Sequence, residues 1–404
     1  MRETTHCEVC GNKNLFPVLQ LGTHPLCDDL VPIGDNRVPS EYPIEILFCD
    51  ICFTAHQRFQ VPKELLFPRH YHYRARVTGS VLAGMSDLVA GYESRYGSPA
   101  GKTVLDIGCN DGSLLDAFKL RGARTIGVEP TGAAAESKHD TINAYFDEQA
   151  SLLVKERAAP IDIITFTNSF AHIENLPELL RNLRSLIAPH TVLIIENHYL
   201  GAVLDTGQFD TFYHEHPRTY SVRSFEYIAD SLGLELLDFQ FTSRYGGNVR
   251  VYLGRGPVQR RPIDESTLRL RFEQVAEEMS IWRTSTRRLI ETKVEQYGKL
   301  RAKAFPGRAA ILIKLLGLNE QHISALYEIK GSIKVGHYVP GTRIPILPEA
   351  DLFRQPDLTK PIVNFAWHIA SEVEANLRKN GYAGDIVNIK VFKNVRAKVM
   401  VSAS

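Results

Sequence analysis

Four cysteines near the N-terminus form two pairs whose spacing suits metal binding. They are Cys7, Cys10, Cys49 and Cys52. The two-residue gap within each pair lets both thiolates face one ion, and four thiolates complete the tetrahedral shell of zinc without an open position for water. The pairs therefore predict a structural zinc site, with two unrelated reduced pairs or a redox dithiol as alternatives. We expect His56, which follows the second pair, to be a surface residue rather than a ligand.

A second group of reactive side chains occupies the segment 209–221, around the sequence Tyr-His-Glu-His-Pro. The proline disfavours helix before it, so we expect an extended chain with His214 and His216 on one face and Tyr213 and Glu215 on the other. A histidine oriented by a carboxylate is well suited to remove a proton near neutral pH. A second metal site and a solvated polar loop are the alternatives.

A glycine-rich turn between Val104 and Leu115 has the pattern of a nucleotide-binding strand, turn and helix. Gly108 and Gly112 would allow the backbone to approach a ligand closely. Asn110 stands where a dinucleotide-binding motif requires its second glycine, which makes room for a pyrophosphate. NAD is therefore disfavoured, although it remains the main alternative, beside a turn that binds no nucleotide.

Acidic residues near the ends of two strands indicate which nucleoside would bind instead. Asp106 could face a cationic amino group, such as that of S-adenosylmethionine (SAM), and Glu129 could accept both ribose hydroxyls. Asn168 and Phe170 follow the next strand, so they are candidate cofactor or substrate contacts; for Asn168, a helix N-cap is an equal alternative. The turn therefore predicts a SAM site.

The elements around this turn alternate between strand and helix, which predicts a parallel sheet covered by helices. The predicted strands are 103–107, 125–128, 161–166 and 191–195, with an antiparallel pair at 235–241 and 248–253. The predicted helices are 80–96, 113–121 and 177–187, and a further helix is expected to begin at 133–138.

These patterns predict an α/β protein with three domains. The domains are a zinc-binding module over 1–65, a Rossmann-like SAM-binding domain over 66–255 and a smaller α/β domain over 256–404. A linker at 254–262 and a long helix over 265–303 lead into the last domain, where strands and helices alternate again.

The composition excludes several classes of protein. Lys plus Arg (47) and Asp plus Glu (46) leave a net charge of +1, and residues 1–65 hold no dense cationic cluster, so nucleic acid is not an expected partner. We also expect no membrane partner, because no apolar run approaches the length of a membrane span. The polar N-terminus lacks a signal-peptide pattern, and a cytoplasmic location is the default expectation.

Together these motifs resemble the SAM-dependent sugar C-methyltransferases of deoxysugar biosynthesis, which methylate C3 of nucleotide-linked 4-keto deoxysugars. The resemblance spans nearly the whole chain. The matching segments are both cysteine pairs, 106–112, 168–173, 209–210, 213–216, 246–251, 340–346 and 366–367.

This resemblance implies particular roles for several residues. His216 would be the catalytic base that forms an enolate, and Tyr213 and Glu215 would line the sugar pocket, to which the last domain contributes. As a hypothesis about the mechanism, a nearby donor such as His214, Tyr213 or His172 could stabilise the enolate oxygen. The further residues placed near the substrate are His172, Tyr71, Tyr73 and Arg250.

The chain departs from the family pattern at 74–78, at 305–310 and at His368, so an atypical sugar or nucleotide is expected. Two other functions remain as alternatives. One is an O- or N-methyltransferase acting on another small molecule, and the other is a non-catalytic zinc and Rossmann scaffold. The oligomeric state stays open.

Overall fold

Strands and helices alternate along most of the chain, as expected for an α/β protein. The computed structural model describes residues 1–68, 74–77 and 79–389. Its strands are β1 Arg2–Glu3, β2 Phe16–Pro25, β3 Val31–Pro32, β4 Glu41–Phe48, β5 Ala55–Gln57, β6 Phe59–Gln60, β7 Thr103–Ile107, β8 Arg124–Val128, β9 Asp140–Ile142, β10 Ile161–Thr167, β11 Ile187–His198, β12 Arg218–Thr219, β13 Glu235–Thr242, β14 Asn248–Gly254, β15 Leu300–Lys303, β16 Ile323–Glu328, β17 His337–Tyr338, β18 Ile346–Pro348, β19 Ile362–Asn364 and β20 Ile386–Asn388. Its α-helices are α1 Lys63–Leu66, α2 Gly79–Tyr96, α3 Ser113–Lys119, α4 Glu148–Ala158, α5 Leu176–Leu186, α6 Leu200–Asp205, α7 Val222–Ser231, α8 Leu268–Tyr297, α9 Ala309–Leu315, α10 Glu349–Phe353 and α11 Ala370–Lys379.

The chain folds into two compact units, and neither is continuous in sequence. The first consists of Met1–Pro17, Leu47–Ala202 and Glu215–Arg269. The second consists of Val18–Ile46, Val203–His214 and the chain from Leu270 onward. The two cysteine pairs thus belong to the first unit, although much of the segment between them belongs to the second. The domain boundaries predicted at 65 and 255 remain a prediction.

A seven-stranded sheet is the framework of the first unit, with the strand order β13-β14-β11-β10-β7-β8-β9. Strands β7 to β11 of this sheet are mutually parallel, and β14 runs antiparallel to both β11 and β13. All five residues of β7 are buried, because a central parallel strand is covered on both faces. The Rossmann-like fold expected for this region is confirmed.

Helices pack on both faces of this sheet and form two hydrophobic clusters. Leu105 belongs to one cluster together with residues of α5 and α7, whereas its neighbour Val104 belongs to the other together with residues of α2 and α3. Successive residues of a strand point to opposite faces, so one short apolar strand contributes to both halves of the core.

The second unit contains a five-stranded parallel sheet in the order β18-β16-β15-β19-β20. Chain order reverses between β15 and β19, which makes this the topological switch point of the sheet. A hydrophobic cluster that includes Leu352, Ile362 and Leu377 packs α10 and α11 against it. The smaller α/β domain is thus confirmed, and among the described residues no helix is long and apolar enough to cross a membrane.

Two predicted helices differ from the structure. The long helix expected over 265–303 covers only Leu268–Tyr297, and Leu300–Lys303 is a strand instead. Gly298, with φ of 74°, ends the helix in the left-handed conformation that glycine adopts without strain. The helix expected to begin at 133–138 is a short 3-10 turn, Gly132–Glu136.

Candidate active site

The four predicted zinc ligands lie together in the first unit. Their sulfur atoms are all within 4.8 Å of one another, with Sγ–Sγ distances of 3.3 Å between Cys7 and Cys52 and 3.5 Å between Cys10 and Cys49. A tetrahedral zinc ion with Zn–S bonds of about 2.3 Å requires sulfurs about 3.8 Å apart. The spacing of the sulfurs therefore fits one zinc ion.

Polar groups around this cluster favour its ionised form. The Asn12 amide lies 3.5 Å from the Cys49 sulfur, and the Thr54 hydroxyl lies 3.1 Å from that of Cys52. Contact with Cys52 lowers the pKa of Cys49, whereas contact with Cys49 raises the pKa of Cys7. A bound cation would allow all four thiols to ionise together.

His56 is not a surface residue, contrary to expectation. Its side chain is fully buried because β5 pairs with β12, where Arg218 lies opposite His56. Burial lowers the pKa of His56 to about 4, so the ring is neutral near pH 7. It also lies outside the four-cysteine cluster.

The glycines of the predicted cofactor turn are required by close packing. Gly108 has φ of 75°, and a Cβ there would lie 2.6 Å from Cβ of Ser169. Gly112 has φ of 80°, and a Cβ there would lie 2.7 Å from Oγ of Ser137. Any larger side chain would push these loops apart, so both positions need glycine for conformation and for space.

Asn110 and Glu129 connect the two strand ends at this turn. Asn110 has the positive φ of 51°, and its amide N–H donates to the Glu129 carboxylate at 3.0 Å. The Asn110 side chain accepts a hydrogen bond from the amide of Ala75, also at 3.0 Å. Glu129 also accepts from the amide of Thr131 at 2.9 Å. The turn therefore holds the Glu129 carboxylate in one orientation.

Asp106 is a buried acid beside Glu129. It accepts a hydrogen bond of 2.7 Å from Thr165, yet burial, together with the charge of Glu129, raises the pKa of Asp106 to about 7. Among the described residues, no cation contributes to this shift. A pair of acids without a protein cation fits a positively charged ligand, and SAM carries both an ammonium and a sulfonium group.

Asn168 and Phe170 follow β10, but only one has a polar group available to a ligand. Asn168 accepts a hydrogen bond from Asn248 at 3.0 Å, while its own Nδ2 is buried without a partner among the described residues. Phe170 was expected to contact a ligand, but it is fully buried in the core between Phe166 and Tyr220. Protein side chains cover its ring, so we no longer assign it to a ligand.

Three histidines meet at the carboxyl edge of the first sheet. The ring centroid of His216 lies 4.8 Å from that of His172 and 5.2 Å from that of His198. His172 Nδ1 lies 3.9 Å from the Glu215 carboxylate. Burial lowers the pKa of His172 to about 4, so this ring is neutral near pH 7.

His198 was missed at the sequence level, together with Tyr245, whose ring centroid lies 5.7 Å from it. A signal for His198 was present, because it is the last residue of β11 and strand ends meet at the ligand-binding edge of an open sheet. Tyr245 gives no such signal, since it lies in the turn between the antiparallel strands β13 and β14.

The chain around His214 is a turn rather than the expected extended segment. His214 and Tyr213 belong to the second unit, where Nε2 of His214 lies 3.0 Å from the Tyr42 carbonyl oxygen. His214 is buried, and burial lowers its pKa to about 4. The extended conformation predicted for this segment is therefore wrong.

Arg250 is fully buried and bound to protein groups. Its guanidinium donates to Glu196 at 2.7 Å and to Asp87 at 3.0 Å. It therefore has no exposed surface with which to contact a substrate, contrary to expectation. Tyr71 and Tyr73, also predicted to lie near the substrate, fall outside the described residues.

Comparison with known proteins assigns three family models along the chain. The model described as "Methyltransferase domain" matches residues 81–238, "Putative zinc binding domain" matches 7–67, and "C-methyltransferase C-terminal domain" matches 244–388. Their order is the order of the motifs described above.

Individual relatives match different shares of the chain. The C-methyltransferase NovU of Streptomyces niveus is 28% identical over 394 residues, which cover 93% of each chain. A ubiquinone biosynthesis O-methyltransferase of Acinetobacter baylyi is 29% identical over 104 residues, covering 24% of this chain and 44% of the relative. The crystal structure of magnesium protoporphyrin IX methyltransferase from Synechocystis PCC 6803 with bound SAH has a TM-score of 0.35 and 16% identity, covering 45% of this chain and 85% of that chain.

The zinc site predicts that the purified protein contains one zinc ion per chain. We expect Cys49→Ser to lose that ion and to lower the unfolding temperature, because metal binding contributes directly to folding free energy. Zinc content by mass spectrometry and thermal unfolding measure both effects. Cys27→Ala, at a buried cysteine outside the set, is the control and should retain zinc. Full zinc content in the Cys49 variant would refute the assignment.

The acid pair predicts a specific defect in SAM binding. We expect Glu129→Gln to weaken binding about 10- to 100-fold, since a hydrogen bond to a charged group contributes about 1.5–3 kcal/mol. Isothermal titration calorimetry measures this change. Glu136→Gln changes an acid on the same loop that pairs with Arg74, and it should bind SAM normally. Equal affinities for both variants would rule out Glu129 as a cofactor ligand.

Proposed function

Because the chain is a SAM-dependent C-methyltransferase, we propose that it methylates a carbon atom of a nucleotide-linked 4-keto deoxysugar, with His216 as the base. The similarity to NovU along 93% of both chains supports C-methylation in particular. The substrate class rests on the resemblance of the motifs and on the kind of chemistry that the site can perform.

One loop carries this proposal, because it joins the cofactor turn to the histidine cluster. The Ser169 hydroxyl donates to the carbonyl of Ile107 at 2.6 Å, immediately before the cofactor turn. Three residues later the same loop places the ring of His172 against that of His216. A base within reach of a methyl donor is the arrangement that carbon methylation requires.

The reaction needs a carbon nucleophile, which a C–H group beside a ketone can supply after it loses its proton. His216 would take that proton and leave an enolate. Buried and neutral, His172 is suited to donate a hydrogen bond to the enolate oxygen, an effect of about 3 kcal/mol for a well-placed donor. SAM supplies the electrophilic methyl group; Asp106 would face its cationic amino group, and Glu129 would accept hydrogen bonds from its ribose hydroxyls.

The second unit, taken by itself, carries groups at its sheet edge that are suited to bind the phosphates of a nucleotide. Ligands of open α/β sheets bind beyond the carboxyl ends of the strands, at the switch point. The loops after β15 and β19 carry Arg308 and Trp367 to this edge. The Trp367 indole donates to Asp210 at 2.9 Å, and Arg308 Nε lies 3.4 Å from the same carboxylate.

Arg308 has donor capacity that the protein does not use. One terminal nitrogen contacts the Thr211 hydroxyl at 3.0 Å, while Nη2 is buried without a hydrogen-bond partner among the described residues. An unpaired guanidinium nitrogen suits a phosphate oxygen. Because Arg308 lies within the segment 305–310, which departs from the family pattern, the nucleotide or sugar is expected to be atypical.

The histidine cluster predicts that His216→Gln lowers kcat by about 10²- to 10⁴-fold while SAM affinity stays unchanged, because a general base contributes about that factor. Product formation is measured by mass spectrometry on a panel of nucleotide-linked 4-keto deoxysugars, as the mass gain of one methyl group. His190→Gln, at a half-exposed histidine elsewhere in the same unit, is the control.

Deuterium exchange in heavy water tests the proton-removal step separately. The wild-type protein should exchange the proton beside the ketone, and His216→Gln should not. Exchange that persists in this variant would exclude His216 as the base. A product methylated on oxygen or nitrogen would instead exclude the C-methylation of this substrate class.

The unpaired nitrogen of Arg308 predicts that Arg308→Gln raises KM for the nucleotide sugar about 10-fold or more, without changing SAM affinity. Steady-state kinetics at saturating SAM provide the measurement. Arg354→Gln removes a largely exposed arginine of the same unit and should leave KM unaltered. An unchanged KM for the Arg308 variant would contradict a role in nucleotide binding.

A further inference from the structure

Arg218 lies two residues after His216 and is among the most deeply buried charged residues of the first unit, with an exposure of 0%. Its guanidinium pairs with the carboxylate of Glu8, which lies between the zinc ligands Cys7 and Cys10. Its Nε also donates to the Tyr220 hydroxyl at 2.9 Å. A buried cation with several fixed acceptors has little freedom to move.

The same guanidinium also holds the loop that carries His172. It donates to the carbonyl of Ile173 and, at 3.2 Å, to the carbonyl of Glu174. These carbonyls belong to the first and second residues after His172. One side chain therefore connects the backbone next to His172 with the backbone next to His216.

The backbone beside His216 is tied to the segment that follows Cys52. The amide of Gln57 donates to the Pro217 carbonyl at 2.8 Å, and β12 pairs with β5 from the next residue onward. Further along, the hydroxyls of Ser221 and Ser224 donate to the Cys52 carbonyl at 3.3 Å and 3.1 Å. The chain after His216 thus contacts both zinc-binding pairs, through Glu8 and through Cys52.

We propose that Arg218 is a positioning residue that sets the spacing of His172 and His216 and anchors both loops to the zinc site through Glu8. This inference rests on the proposed function, because the spacing matters for catalysis only if His216 is the base. Zinc binding would then affect catalysis as well as stability, because the zinc ligands hold Glu8 and the Cys52 carbonyl in place. The chain that follows His216 is attached to both of these groups.

A planar fork is needed for this role. Arginine presents five N–H donors in fixed directions, and Arg218 directs them to Glu8, to Tyr220 and to two carbonyls at once. A lysine keeps the charge but cannot satisfy four acceptors in these directions. Arg218→Lys therefore separates the geometric role from the charge.

The test compares Arg218→Lys with Arg95→Lys. Arg95 is a matched control, because it is a mostly buried arginine of the same unit that pairs with Asp238 and donates to Gln240, both on β13. We expect Arg218→Lys to retain zinc and SAM binding and to lose about 10- to 100-fold in kcat, with KM nearly unchanged, because small displacements of reacting groups cost that much. The pH profile of kcat/KM should also shift in this variant only.

NMR spectroscopy of the histidine rings tests the positioning directly and does not depend on activity. The ring signals of His172 and His216 should move in Arg218→Lys, and they should also move when zinc is removed from the wild-type protein. The signal of His190 should stay in place in both experiments. If Arg218→Lys does not fold, Glu8→Gln takes its place in these experiments, because it changes the other partner of the same ion pair.

Separate outcomes distinguish this inference from the proposed function. Ring signals and a pH profile that match the Arg95→Lys control would overturn the positioning role, as would a loss of kcat equal to that of the control. If His216→Gln remains active but the ring signals still move in Arg218→Lys, the base assignment fails while the positioning role holds.

Discussion

The parallel pairing of β7, β10 and β11 is the constraint on which the candidate active site depends. Parallel strands end at the same edge of a sheet, so the cofactor turn after β7, the Asn168 loop after β10 and His198 at the end of β11 are brought together without any direct attraction among them. Each strand can run through the interior because apolar residues cover both of its faces. The residues at the edge of the sheet can therefore be chosen for their chemistry without changing how the core packs.

His216 does not follow from that constraint, because it lies in a loop outside the sheet. Its position depends on contacts with chain segments far away in sequence: the zinc-binding residues and the carbonyls after His172. These contacts use a buried ion pair between Arg218 and Glu8, and removing one partner of such a pair typically costs about 3–5 kcal/mol. A zinc ion bound by the four cysteines would hold the loops that carry Glu8 and Cys52 in place and so help to keep this ion pair formed. The N-terminal cysteines and the reactive loop are therefore parts of one arrangement within the first unit.

Features set by local sequence could be predicted, and features set by distant contacts could not. Strand β7 and the pairing of β13 with β14 follow from short apolar runs and their turns, and the gathering of four cysteines follows from spacing alone. The burial of His56 depends on a strand more than 150 residues away, and so no local pattern reveals it. Phe170 was misjudged for a related reason: a strand end marks the edge of the sheet, but the aromatic neighbours that fill the core around that ring come from β10 and from the chain near α7. His198 carried a usable signal at its strand end.

Several buried carboxylates of the first unit are paired with arginines, whereas Asp106 is not, and this difference makes Asp106 a candidate ligand contact. Glu8, Glu196 and Asp111 are each buried against at least one arginine; at Glu8, burial would raise the pKa, but the charges of Arg218 and Arg2 lower it to about 2. Such acids are satisfied by the protein and hold its loops together. Asp106 is equally buried, yet burial and the charge of Glu129 raise its pKa to about 7, although the hydrogen bond from the Thr165 hydroxyl acts in the opposite direction. Among the described residues, no cation neutralises the Asp106 carboxylate in the folded protein. Such an unfavourable arrangement is typical of a site where a cationic ligand supplies the missing charge. The amide nitrogen of Asn168, on the neighbouring strand end, is also buried and has no partner among the described residues, so both side chains are candidates for contact with the cofactor.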